Sequence, residues 1–277
     1  MHLAGGEERR NCAGDQGQSG SAGGFVKKRI FLLFGVFIVL LVARAPAVLL
    51  DSLVARLSAD ALHLREADGT IWQGRGLLVG SEAAQRSGRP WLHLHWRFLP
   101  AELLEGRLGW SLADGEKALG EASYGLRGLH LEQISLLLPA EIVRLPLDNP
   151  VFNSGWRGDI AIESPEWTWR PGESNRGRID LVWRGAGTAL LPAIRLGDYR
   201  VTLVGEGEVV RLLIVTLAGD VQVSGSGMLS HDGHLTYDGR IEGDPDLLRS
   251  LPAVSAEMVR QDGVEGRFVV HVPALPR

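Results

Sequence analysis

Apolar and polar residues alternate along short segments over most of the chain after residue 60, which is the pattern of half-buried β-strands. The clearest case is WLHLHWRF at 91–98. Its apolar residues fall on one face and its polar residues on the other, namely Leu92, Leu94, Trp96 and Phe98 against His93, His95 and Arg97. Other segments of this kind lie at 62–66, 70–79, 106–113, 125–131, 158–164, 178–183 and 199–204. The pattern predicts a mainly β, antiparallel fold.

The stretch ADGTIWQGRG at 67–76 reads as a hairpin. Asp68-Gly69 suits the positive φ angles of a tight turn, so we expect the chain to reverse there. We expect Trp72 to point to the core, and Gly74 and Gly76 to permit a bulge or a close approach of backbone. The glycines do not match a dinucleotide or phosphate loop, because the spacing differs and no clear helix follows.

The longest strand-rich block, 199–241, predicts an antiparallel meander. Its expected breaks are at the glycine-rich positions 205–207, 219–220, 225–227 and 232–233. A Leu-Pro-Ala tripeptide recurs at 99–101, 138–140, 191–193 and 251–253, and is predicted to mark exits from strands into short helices, with Pro in the first turn. Trp-Arg before the first and third copies suggests two related halves, 60–150 and 155–277.

A different pattern precedes the strands, because residues 30–43 are an unbroken apolar run that continues as APAVLL to Asp51. This length predicts one transmembrane helix at 27–50, after a flexible cytoplasmic leader at 1–26. Lys27, Lys28 and Arg29 directly precede the run, which predicts a cytoplasmic N-terminus and an exported domain at 51–277. A short amphipathic helix is expected at 46–58. The alternatives are a signal peptide cleaved near Ala45-Pro46-Ala47, which would export the same domain, and a buried core helix.

Composition agrees with an exported β-rich protein. The chain has 277 residues, 45% of them hydrophobic, and carries 36 glycines and eight tryptophans. The formal net charge of −4, with basic and acidic residues interspersed, argues against a nucleic-acid-binding surface. Cys12 is the only cysteine, so the chain forms no internal disulfide.

The sequence offers few chemical groups at catalytic spacing. His93 and His95 share a strand face, and His231 and His234 flank a turn, but neither pair has an evident third ligand, so we expect no metal and no cofactor. Asp244 and Asp246 resemble a carboxylate pair, but Asp244 before DLLRSL is more typical of a helix N-cap. Trp167 and Trp169 share a face that could bind a ligand or pack in the core. We expect no catalytic site.

The order of these parts resembles the type II secretion system protein N family, also called general secretion pathway protein N. The resemblance rests on a basic-flanked apolar run followed by GTIWQG at 69–74 and WLHLHWRF at 91–98, and then by three longer blocks at 145–164, 196–229 and 237–272. The residues that carry it are Gly69, Thr70, Trp72, Gly74, Trp96, Gly158, Gly197, Tyr199, Gly227 and Gly243.

The resemblance implies a bitopic component of a Gram-negative inner membrane that takes part in protein export. It implies a periplasmic domain whose partners are other inner-membrane and periplasmic secretion components, with no enzymatic activity. We expect contacts through strand addition or sheet packing, centred on the 199–241 meander. The GTIWQG motif also occurs in large AsmA-like envelope proteins, and the alternative is therefore a lipid-binding module with an apolar concave sheet. A periplasmic hydrolase is a weaker alternative.

Overall fold

The computed structural model describes residues 22–58, 60, 62–80, 91–140, 155–170, 174–230, 234–251 and 259–272. The chain forms two units, Met1–Ala45 and Pro46–Arg277. In the first unit, helix α1 covers Ala22–Ala43 and contains Lys27, Lys28 and Arg29. Within the described ranges, no helix satisfies both the length and the hydropathy that a bilayer crossing needs. The assignment of 27–50 as a membrane span therefore stays a prediction.

The second unit contains one antiparallel sheet, which has fourteen strands within the described part of the chain. The strands are β1 Leu62–Gly69, β2 Gln73–Gly80, β3 Leu92–Phe98, β4 Arg107–Asp114, β5 Lys117–Gly125, β6 Gly128–Pro139, β7 Trp156–Trp169, β8 Asn175–Thr188, β9 Gly197–Gly207, β10 Val209–Ala218, β11 Gln222–Ser230, β12 Leu235–Glu242, β13 Val259–Gln261 and β14 Arg267–Val272. Each strand pairs with the next along the chain as far as β12. Only the last step differs, because β14 lies between β12 and β13.

Three short helical segments accompany the sheet. Helix α2 covers Val48–Leu57, a 3₁₀ helix covers Pro100–Glu105, and helix α3 covers Pro245–Ser250. The Asp244 carboxylate accepts hydrogen bonds from the backbone N–H groups of Asp246 and Leu247, at 3.0 and 2.9 Å. This confirms the N-cap interpretation of Asp244, and α2 confirms the short helix expected after Pro46.

The antiparallel meander over 199–241 is confirmed by β9 to β12, and the alternation at 91–98 by the burial of Leu92 and Trp96. Two turn predictions are wrong. Asp68 and Gly69 belong to β1 and pair with Arg75 and Gly74, so the reversal lies at 70–72. Gly225–Gly227 lies inside β11, because its glycines pair across the ladder instead of ending it.

The Leu-Pro-Ala prediction holds at one copy. Pro100 begins the 3₁₀ helix after β3, whereas Leu191 is in an isolated bridge to Thr188 and no helix follows it. The copy at 138–140 ends β6, and its continuation lies outside the described residues. Leu251 follows a helix instead of a strand, and Pro252 and Ala253 lie outside them as well. The ladder is continuous from β6 to β7, and the division into halves stays a prediction.

The strand register gives the sheet one apolar and one polar face, because directly paired residues of antiparallel strands share a face. Leu131 pairs with Trp167, and Ile134 pairs with Ser164, although each strand has moved on by three residues. Gln133 has a φ of 50°, and the β7 to β8 register shifts between Glu163 and Trp167. These paired bulges keep the apolar residues on one face.

Two buried clusters lie on this face, and each includes residues from a helix. The first is centred on Ala47, Leu64 and Trp96, with Leu50 of α2 packed against it. The second is centred on Ala186, Leu196, Tyr199 and Val221, with Leu247 and Leu248 of α3 and with Leu251 beside it. Burial of large apolar side chains is the main stabilising contribution at both clusters.

Candidate functional site

The turn at 70–72 is held by two indoles from neighbouring strands. Trp96 donates its Nε1–H to the carbonyl of Thr70 at 2.9 Å, and Trp110 donates to the carbonyl of Ile71 at 3.0 Å. The backbone N–H of Phe98 donates to the carbonyl of Trp72 at 2.6 Å. Backbone groups of a turn that would otherwise need water are therefore satisfied by the sheet. We call Gly69, Thr70, Trp72, Gly74 and Trp96 the signature corner.

Close packing explains the residue types in the signature corner. A Cβ on Gly74 would lie 2.4 Å from the Asp68 carbonyl oxygen and 2.6 Å from Cζ2 of Trp96. Gly69 has a φ of 99° and would meet the Gln73 carbonyl oxygen at 2.5 Å. Trp72 is half-buried and contacts Phe98 edge to face, with ring centroids 4.8 Å apart. The glycines of the motif therefore allow a close backbone crossing.

The second cluster contains one further signature residue, Tyr199. Trp156, Trp183 and Tyr199 form a row of rings with centroids 5.2 and 6.0 Å apart. The Tyr199 hydroxyl donates to the Val221 carbonyl at 3.0 Å. Burial, and to a lesser degree the charge of Asp198, raise the pKa of Tyr199 to about 12. Tyr199 is thus neutral at physiological pH and acts as a structural anchor.

The remaining signature glycines lie where strands come close to each other. Gly158 and Gly197 have φ angles of 105° and 155°, at positions where the pairing register shifts. A Cβ on Gly227 would meet the Thr236 carbonyl oxygen at 2.4 Å. The backbone N–H of Gly243 donates to the Gly266 carbonyl at 3.0 Å. The predicted signature residues are therefore spread from β1 to just beyond β12 and do not converge on one site.

The feature that sequence reasoning missed is the extent of the apolar face. From β6 to β12 every described strand position on this face is uncharged. One row runs across seven strands as Leu136, Ile162, Leu181, Val201, Ile214, Gly225 and Gly239. Most large side chains on this face are only half-buried, because the two clusters and the helices packed against them cover only parts of it. A residue-by-residue face assignment needs the bulges at 133 and 164–166, which the alternation alone did not reveal.

The opposite face carries the ionic residues. Arg178 donates from Nε to Asp180 at 2.5 Å, and Thr202 donates to the same carboxylate at 2.7 Å. The Arg178 hydrogen bond is the main reason that the pKa of Asp180 is lowered. At the signature corner, an open groove of about 650 Å³ is lined by Gly69, Thr70, Gly74 and Trp96, together with polar residues that include Arg75, His95 and Arg97. These pairs and this groove contain no nucleophile held by a general base.

The candidate histidine pair lies on the polar face. His93 and His95 are exposed, and a ring nitrogen of His95 is 3.2 Å from the Gly115 carbonyl oxygen. His231 lies outside the described residues. Across the described ranges, no three His, Cys, Asp or Glu side chains converge as a metal site would require. Trp167 is buried in the core, whereas Trp169 is 42% exposed.

The two edges of the sheet differ. At β1, the backbone N–H groups of Leu62 and Leu64 donate to Ser58 Oγ at 3.0 Å and Asp51 Oδ1 at 2.8 Å. Side chains at 51 and 58 thereby satisfy donors that an edge strand would otherwise expose. At the other edge, β13 is three residues long, and Arg260 and Gln261 are exposed. Strand addition is therefore hindered at β1 and open at β13 in the part of the chain described.

A family model for type II secretion system protein N matches residues 60–255. The chain belongs to this family. The match covers β1 to β12 and α3, including the signature corner and the second cluster. Comparisons with curated proteins and with solved structures gave no significant match.

Family membership makes this protein N homologue a component of the type II secretion system. Proteins of this family are structural or assembly components, and the family is not a known class of enzyme. It associates the protein with the cell envelope and with other secretion components. The resemblance read from the sequence is therefore confirmed.

Proposed function

We propose that the protein is an assembly component of the type II secretion system, anchored in the inner membrane through residues 27–50. Its β domain then lies in the periplasm and contacts other secretion proteins. The family match over 60–255 is the observation that carries the assembly role. The basic residues Lys27, Lys28 and Arg29 before the apolar run support a cytoplasmic N-terminus.

The sheet limits how such contacts form. Strands β9 to β12 are hydrogen-bonded on both sides, so the 199–241 meander cannot accept an added strand. A partner can instead pack on its polar face, where Leu213 and Met228 are 46% and 51% exposed, or add a strand at β13. Exposed apolar side chains among charged ones are typical of interfaces that form and dissociate.

Site-specific photocrosslinking in cells tests this function. We expect a photoreactive residue at Leu213, Met228 or Gln261 to capture a secretion-system protein. The matched control is Arg65, which is exposed on β1 beside the edge that α2 covers. Failure of all three positions to capture a secretion component, or equal capture at Arg65, would contradict contact through these surfaces.

A second candidate function is lipid binding, which the uncharged apolar face favours. Trp96, Trp110, Trp183 and Tyr199 all donate to the protein's own carbonyl groups. The face therefore offers these donors to no occupant, and an acyl chain needs none. Native mass spectrometry of the purified protein is the test. Bound phospholipid that is lost in Leu181→Gln but kept in Leu213→Gln would support this function, and its absence from the wild type would exclude it.

A further inference from the structure

We infer that the open groove at the signature corner binds an acidic peptide segment of a partner protein, with one carboxylate held between Arg75 and Arg97. The inference rests on the proposed assembly role, and it names the chemistry of a partner at one place on the polar face. The groove has a volume of about 650 Å³, which is within the range typical of ligand sites.

Strand pairing places the polar side chains of the groove side by side. Gln73 pairs with Arg97, and Arg97 pairs with Ser111, so these three residues form one row across β2, β3 and β4. Arg75 pairs with His95 in the next row of the same face. Arg75 and Arg97 are therefore diagonal neighbours, and the Cβ atoms of such residues are about 7 Å apart. Two guanidinium groups at this spacing can both donate to one carboxylate.

Both arginines have N–H donors left for a ligand. Within the described part of the chain, the Arg97 guanidinium makes no hydrogen bond and no ion pair. Arg75 is 3.4 Å from the Asp68 carboxylate, and these two side chains are 70% and 71% exposed. A guanidinium has five N–H donors, so one long contact leaves most of them to water. A carboxylate that displaces this water would make charge-assisted hydrogen bonds to both arginines.

The charges of the groove decide where a negative group can bind. Among the described lining residues, the two arginines face one carboxylate, that of Asp68. Glu121 pairs with Ser111 from the next strand, but it does not line the described groove. Because Glu121 would repel a ligand carboxylate, the favoured position is over β2 and β3, between the two arginines.

The groove also presents acceptors, which favours a peptide over a phosphate. Asp68 and the Gln73 amide oxygen can accept hydrogen bonds. A peptide has backbone N–H donors beside its carboxylate, whereas a phosphate would place more acceptors against Asp68. Gly69, Gly74 and Gly115 line the groove without side chains, and a Cβ on Gly115 would have no heavy atom within 4 Å. An extended chain can therefore approach the backbone closely and leave at the Gly115 end.

Fluorescence polarisation with the full chain in detergent micelles tests the inference. The probe is the fluorescein-labelled peptide Ser-Gly-Glu-Glu-Glu-Gly-Ser, and the reference peptide has Gln at the three Glu positions. We expect only the acidic peptide to bind, and Arg75→Gln with Arg97→Gln to weaken it about tenfold. The charge-matched control is Arg65→Gln with Arg176→Gln, at two exposed positions outside the groove, which should change the affinity less than about twofold.

A variant without a charge change locates the binding. Ala113→Trp places a large side chain in the groove and should block the acidic peptide, whereas Ala161→Trp, outside the groove on β7, should not. Equal affinity for the two peptides, or full affinity in Ala113→Trp, would overturn the inference. Displacement of the probe by inorganic phosphate or by phosphatidylglycerol vesicles as readily as by unlabelled peptide would also overturn it, in favour of a phosphate ligand.

The outcome is independent of the test of the assembly role. Photocrosslinking at Leu213, Met228 and Gln261 in cells uses positions outside the groove. A chain that is captured there but does not bind the acidic peptide would disprove the groove alone. A chain that binds the peptide but is captured nowhere would disprove contact through the other surfaces.

Discussion

Replacement of Gly74 by alanine tests whether the signature corner is a packing motif. The added Cβ would lie 2.4 Å from the Asp68 carbonyl oxygen and 2.6 Å from Trp96 Cζ2, both much closer than ordinary contact. Overpacking of this kind costs about 1–3 kcal/mol. A shift of Trp96 also weakens its hydrogen bond to Thr70, which contributes about 1 kcal/mol. We therefore expect Gly74→Ala to lower the free energy of unfolding by about 2–4 kcal/mol.

The matched control is Gly187→Ala, because Gly187 also lies within a strand, and is buried there, but the nearest contact of its new Cβ would be the Ile194 carbonyl oxygen at 3.3 Å. It should change the stability by less than about 1 kcal/mol. For a domain of this size, the Gly74→Ala loss corresponds to a fall in Tm of roughly 4–16 °C. Urea titration followed by tryptophan fluorescence, with a parallel thermal melt, measures both variants.

A double-mutant cycle identifies the contact responsible. Trp96→Phe removes the ring atom that the new methyl group would meet, so Gly74→Ala should cost less in that background, by about 1 kcal/mol. If Gly74→Ala is no more destabilising than Gly187→Ala, the close-packing explanation of the motif is refuted. If the two substitutions are additive, the backbone of Asp68 is the limiting contact and not the indole.

Three further variants address the second cluster, the sheet edge and the anchor. Tyr199→Phe should lower the free energy of unfolding by about 1 kcal/mol near pH 8, because it removes the hydrogen bond to the Val221 carbonyl. Because the pKa of Tyr199 is raised to about 12, the wild type should lose about 2–3 kcal/mol of stability as the pH rises from about 10 to about 12, and the variant should lack this loss. Chemical denaturation at each pH measures both effects. Asp51→Ala with Ser58→Ala frees the N–H groups of Leu64 and Leu62, so light scattering should detect concentration-dependent association that Asp246→Ala, at the exposed end of α3, does not cause. Lys27→Glu, Lys28→Glu and Arg29→Glu together should weaken the topology signal and reduce the fraction of molecules with an exported C-terminal domain, measured by protease accessibility in spheroplasts.

Local patterns predicted the strands well because each strand here is two-faced. Leu92 to Phe98 alternates strictly, and its burial follows the alternation. Longer-range pairing was not predictable in the same way. Asp68-Gly69 has the composition of a turn, yet Trp96 and Trp110 hold the reversal at 70–72 through hydrogen bonds that span 26 and 39 residues. Tertiary contacts of this kind override a local turn preference.

The same limit applies to the candidate site. Gly227 and Tyr199 were singled out as parts of a motif, but the sequence did not show that they line one face of a continuous sheet. The decisive features were the bulges at Gln133 and at 164–166, where alternation fails and yet the apolar face is preserved. A strict period of two would have assigned Ile134 and Ser164 to the polar face.

An open sheet has two exposed features that promote association, its edges and its apolar face, and this chain treats them differently. Side chains from Asp51 and Ser58 occupy the N–H groups at the β1 edge. The apolar face is covered only near its two clusters and is charge-free across β6 to β12. If the uncovered part of the apolar face had no partner, a few charged residues on it would be the simplest way to keep the protein soluble. Their absence over seven consecutive strands argues that the face is normally covered. Loss of bound phospholipid in Leu181→Gln, but not in Leu213→Gln on the opposite face, would therefore identify a lipid as its cover.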